Sequence, residues 1–98
     1  MSHAEENAQI LNLIQAMIGS ISSNLRWVTL EVPKSDSVHL RFLFDRDDVD
    51  DREEIEDITF EFAALQIKDI DIDVDVIVDR RPISDLELPG RVVFGRKE

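Results

Sequence analysis

The sequence has no cysteine and only three glycines, three prolines, two histidines and one tryptophan among its 98 residues. Without cysteine there are no disulfides, no thiol nucleophile, no zinc ribbon and no iron–sulfur ligation. Three scattered glycines cannot form a phosphate-cradling loop. No apolar run approaches the ~18 residues that a transmembrane helix needs. The opening "MSHAEENAQ" has neither the basic start nor the apolar stretch of a signal peptide, so the expected location is the cytoplasm. The serines of "SISSN" and "SDS" do not sit in a nucleophile elbow. His3 lies in the N-terminal tail. His39 falls on the polar side of a strand, where a neighbouring aspartate is the expected partner.

Paired carboxylates are abundant, but an acid–base pair needs burial to push its two pKa values apart, and alternation puts the candidates in water. A calcium loop needs oxygen ligands at its first, third and fifth positions, glycine at the sixth and glutamate at the twelfth. Counted from Asp45, the fifth and sixth positions are Val49 and Asp50. Counted from Asp69, the sixth and twelfth are Val74 and Arg80. Both fail. The expectation is therefore no catalytic residue, no metal site and no cofactor.

What the sequence does have is negative charge. The formal net charge is −11. Residues 45–79 hold fifteen acidic and three basic side chains, while the rest of the chain holds seven and eight. The acidity thus belongs to one contiguous stretch. It would repel the phosphates of nucleic acid and of anionic membranes, so neither is an expected partner. It suits a basic protein.

Apolar residues make up 43% of the chain, enough for one core, and no linker or repeat divides it, so residues 1–98 read as one domain. Ile10, Leu13, Ile14, Met17 and Ile18 form a helical stripe over 4–18, and Gly19 is a candidate stop. "LRWVTLEV" (25–32) and "VHLRFLFD" (38–45) alternate as strands, with Pro33 and "KSDS" as the turn. Ile55, Ile58, Phe62 and Leu65 make one face of a second helix, widened by Phe60, Ala63, Ala64 and Ile67. Asp48 or Asp50 starts that helix, and Asp50 with Glu53 resembles a capping box. "DIDIDVDVIVD" (69–79) is a strand with aspartates on its wet side, and "RVVFGR" (91–96) is a short last strand. The order α-β-β-α-β-β gives an α+β two-layer sandwich, a four-stranded sheet with both helices covering one face. Strands 2 and 3 should run parallel, either as neighbours or with strand 4 between them.

Helix capping and dipole effects need a few of the ten carboxylates between Asp45 and Phe62, not all of them. The surplus points to a partner surface. Its candidate residues are Asp45, Asp47, Asp48, Asp50, Asp51, Glu54 and Asp57, most of them off the Ile55–Ile58–Phe62 stripe. The outer sheet face adds Trp27, Asp71, Asp73 and Asp75, in company with Thr29, His39, Arg41, Leu43 and Ile77. Apolar residues there, Trp27 above all, would mark a binding patch unless the 80–90 loop or a dimer partner covers them.

The stretches "AMIGSISSNLRWVTLEV", "VHLRFLFD", "DREEIEDITFEFAAL" and "IDVDVIV", in this order of elements, resemble the small immunity proteins of contact-dependent growth inhibition and related polymorphic toxin systems. The resemblance spans nearly the whole chain. It implies a non-enzymatic cytoplasmic antitoxin that binds and blocks one cognate toxin domain, often a nuclease delivered by a neighbouring bacterium. It carries no contact residues with it. The alternative reading is an acidic scaffold or oligomeric interaction protein, a homodimer joined through the sheet edge.

Overall fold

The computed structural model describes residues 3–98. Helix α1 spans His3–Met17, strand β1 Leu25–Lys34, β2 Ser37–Phe44, helix α2 Val49–Ala64, β3 Asp71–Val78 and β4 Arg91–Gly95, with one 3₁₀ turn at Ile83–Asp85. The expected order α-β-β-α-β-β is the one observed. His3 is the first residue of α1 and is exposed there, not part of a tail.

Each element follows from its residues. The apolar stripe of α1 buries Leu13, Ala16 and Met17. Gly19 then takes φ +79°, a left-handed conformation open to glycine, and the Ser20 N–H donates to the Met17 carbonyl at 2.9 Å. Strands β1 and β2 close around the two-residue turn Ser35–Asp36, since Lys34 pairs with Ser37. Strand β1 runs two residues beyond the expected end at Val32. Pro33 has no N–H to give the ladder, and the register shifts between Glu31 and Lys34 around it.

The sheet order is β3-β2-β1-β4. Strand β2 pairs antiparallel with β1 and parallel with β3 over all eight residues, and β4 adds antiparallel to the far side of β1. Strands β2 and β3 are thus parallel neighbours. Strand β4 does not lie between them but forms the opposite edge.

Leu13, Ala16 and Met17 of α1 and Ile55, Ile58 and Phe62 of α2 enter one core cluster with Val28, Leu30, Val38, Leu40, Phe42 and Phe44 of the hairpin. Ile72, Val74 and Val76 of β3 pack against its margin and stay half-buried, as expected for an edge strand. The face away from this core is not simply wet. Strands β3 and β4 sit at opposite edges, so segment 79–90 must cross β2 and β1. Pro89 reaches the Arg41 guanidinium at 3.3 Å, and a Cβ on Gly90 would come within 2.8 Å of the Leu30 carbonyl. Leu43 and Thr29 stand on that face and are fully buried, which corrects their expected exposure.

Candidate functional site: the acidic flank

Helix α2 begins with Asp48, whose backbone is extended and whose carboxylate accepts the N–H groups of Asp50 (2.8 Å) and Asp51 (3.3 Å). The cap is therefore Asp48, three residues before Asp51, and not the Asp50–Glu53 pair. Asp51 lies four, seven and eleven residues before Ile55, Ile58 and Phe62, so the helix turns it into the core. It is 6% exposed and accepts the Asn24 amide at 2.7 Å. Its expected place on a partner surface is overturned by this burial.

Three more of the run's carboxylates are occupied. Asp45 is half-buried and binds Arg96 at 2.9 Å. Asp47 is exposed and bound by Arg52 at 2.6 Å, and the hydrogen bond from Arg52 holds its carboxyl below the usual range. Arg46 stands 3.9 Å from Asp48. Asp50, Glu53, Glu56, Asp57 and Glu61 are exposed, Glu54 is half-buried, and none of the six carboxylates forms an ion pair among the described residues.

On the outward side of α2, Phe60 is 76% exposed. Sequence spacing placed it on the widened core face. In fact it is five residues past Ile55, about 140° round the helix. It stands three and four residues after Asp57 and Glu56, and so is rimmed by carboxylates. Beside it, Ile55, Thr59, Val74 and Val76 line a shallow groove of about 540 Å³ between α2 and the β3 edge, with Arg52 and Glu56 at its sides.

Asp71, Asp73 and Asp75 are exposed on β3, as alternation requires. Parallel register sets Asp73 beside His39 and Asp75 beside Arg41. The Asp75 carboxylate meets His39 Nε2 at 2.8 Å, and the Arg41 guanidinium binds Glu31 and stands 3.9 Å from Asp75. The β3 aspartates lie on the face opposite the core, whereas the α2 carboxylates project from the helix layer. The acidity therefore wraps round the β3 edge and does not form one flat patch. Trp27 is half-buried on the crossed face, its ring so close to β4 that a Cβ on Gly95 would meet it at 2.6 Å. It belongs to the packing between β1 and β4, two strands from β3.

The other end of the sheet carries a polar cleft of about 570 Å³ that includes Arg26, Arg80, Arg96 and Glu98. Its centre is Arg26, 3% exposed. Its guanidinium donates to both oxygens of Glu98 at 2.7 Å and to the Asp79 and Arg81 carbonyls at 2.7 and 2.9 Å. All three nitrogens donate to the protein's own acceptors, so the group clamps β1 to the start of the crossover and to the C-terminal tail. Among the described residues no cluster of His, Asp or Glu could hold a metal ion. Nor is any helix among them long and apolar enough to cross a membrane.

The result is a small α+β fold with one carboxylate-rich flank and an exposed aromatic set into it. No curated protein matches the chain. A family model described as MafI2 immunity protein matches residues 6–98. The chain belongs to that family: it is an immunity protein, a partner of a cognate toxin, and not an enzyme.

Proposed function

We propose that the toxin is a basic nuclease and that this protein inhibits it stoichiometrically in the cytoplasm, in a system of the contact-dependent kind, by presenting the outward face of α2. Nucleases hold phosphate with cationic surfaces, and an acidic inhibitor competes for those cations. The observation that carries the reading is Phe60, an exposed aromatic rimmed by carboxylates that pair with no cation among the described residues. An apolar anchor inside a charged rim is the arrangement that concentrates binding energy, while the rim steers association, up to ~10⁸–10⁹ M⁻¹s⁻¹ at low salt. Asp71, Asp73 and Asp75 extend the field across the β3 edge.

The test leaves Asp48 and Asp51 untouched, because they build the helix. Asp50, Glu53, Asp57 and Glu61 are changed together to Asn or Gln, and Phe60→Ala is made separately. Association with the purified cognate toxin domain is followed at low and high salt. The quadruple variant should associate more slowly and with a flatter salt dependence, and Phe60→Ala should dissociate faster. Wild-type kinetics in both variants would refute the reading.

A further inference from the structure

Helix α1 has two flanks. One meets α2, where Gln9 and Gln66 exchange hydrogen bonds at 2.7 and 2.9 Å. The other meets β4, where Arg91 binds Glu6 at 2.9 Å and Asn7 at 2.8 Å. Along this second flank Leu11, Ile14, Ile18 and Ile21 are 66%, 44%, 75% and 49% exposed. Ile14, Met17, Ile18 and Ile21 line, with Val93 and Phe94, a groove of about 260 Å³.

The surrounding charge selects the occupant. Charged residues make up 34% of the chain, yet from Asn7 to Leu30 only Arg26 is charged, and it is buried. The flank offers a basic toxin no carboxylate apart from Glu6, which Arg91 occupies. A second copy of a −11 protein would be repelled at the acidic flank, but not here. At its end Glu6 and Arg91 neutralise each other, so the flank presents no net charge to repel the same flank of a second copy across a two-fold axis. The four exposed side chains amount to roughly 400 Å² of apolar surface per copy. At the roughly two-thirds apolar content of homodimer interfaces, two copies would bury about 1,200 Å² in total, above the ~1,000 Å² that a specific interface needs.

We infer that this flank of α1 and β4 is a homodimer interface, formed by α1 packing on its two-fold mate. The strand edge itself is a poor joint. Strand β4 has five residues, and its register against β1 is broken between Val28 and Thr29, both features that discourage strand addition.

Sedimentation velocity from low to high micromolar concentration tests this without any toxin. Wild type should sediment as a dimer at the upper end. Ile18 is largely exposed, so Ile18→Glu and Ile18→Lys should fold normally by circular dichroism. Each alone should be monomeric, and an equimolar mixture should recover the dimer through the opposite charges. Both variants should still bind the cognate toxin, which separates this interface from the acidic one. A wild type that stays monomeric throughout overturns the inference, as does an Ile18→Glu variant that dimerises like wild type. Loss of toxin binding in Ile18→Glu with a monomeric wild type would assign the flank to the toxin and likewise overturn it.

Discussion

Three carboxylates within ten residues of sequence should behave in three different ways when replaced by alanine. Asp51 is buried and holds the Asn24 amide. Its removal leaves that amide without its acceptor and deletes a hydrogen bond to a charged group, at a cost of about 2 kcal/mol. Asp48 is the helix cap, and losing a cap costs about 1 kcal/mol. Asp57 is exposed, with no ion pair among the described residues and with Glu53 and Glu61 four residues to either side. Like charges at that spacing destabilise a helix by roughly 0.2–0.5 kcal/mol each, and alanine is a better helix former, so Asp57→Ala should leave stability unchanged or slightly raised. Urea unfolding followed by circular dichroism at neutral pH and low salt gives the ranking. In thermal melts the first two losses correspond to roughly 10 °C and 5 °C. Toxin association should run in the reverse order, with Asp57→Ala alone slowed while fully folded. If Asp51→Ala falls within ~0.5 kcal/mol of wild type, or Asp57→Ala is as destabilising as Asp48→Ala, the division of this run into structural and binding carboxylates is wrong.

Acid should loosen the crossover before the core. The Arg81 side chain and backbone N–H hold Asp79 at about 2, below its ordinary 3.8, and hydrogen bonds from Arg26 and then Arg96 hold Glu98 at about 2, below 4.5. Both pKa values are depressed in the folded state, so their contribution is complete above the unfolded values and disappears as pH falls from about 4.5 towards 2. Charge-neutral variants Asp79→Asn and Glu98→Gln should flatten stability against pH in that window, and an unchanged profile would refute the assignment. At the other edge, Trp27 is half-buried and should be partly quenched by acrylamide. Gly95→Ala should cost about 1–3 kcal/mol by overpacking against its ring and should shift its emission to the red. An unaltered spectrum and melting temperature would show that the ring has room to move.

The hairpin and β3 were legible in the sequence because each alternates against a single core, and period two leaves no choice of face. The place of β4 was not legible. It depends on the path of segment 79–90, whose prolines and short apolar steps carry no period. The burial of Leu43 and Thr29 follows from that path and was hidden with it. In α2 the helical stripe carries the signal in both directions. Extending the Ile55–Ile58–Phe62 stripe back by four residues reaches Asp51, whose acidity made it look like surface. Phe60 was drawn into the core by its hydrophobicity, against its angle on the helix. Arg26 had no signal at all, because a buried guanidinium is recognised by its acceptors. These are two backbone carbonyls and one side chain, Glu98, 72 residues away.

The crossings of the chain have a consequence for charge. The connection from β2 to β3 carries α2 to one edge, and the connection from β3 to β4 returns the chain to the other. Helix α2 and strand β3 thereby carry ten of the fifteen carboxylates found between Asp45 and Asp79, while the nearly uncharged α1 flank lies beside β4 at the other edge. The two proposed interfaces should then answer to salt in opposite senses. Salt screens the attraction between the acidic flank and a basic toxin, and so weakens that encounter. It also screens the repulsion between two copies that each carry −11, and so strengthens contact through the neutral flank. If one surface served both partners, the two affinities would compete. Segregated as they are, the proposed dimer should hold two toxin domains at once, with its acidic flanks turned outward, which the stoichiometry of the complex at high protein concentration would show.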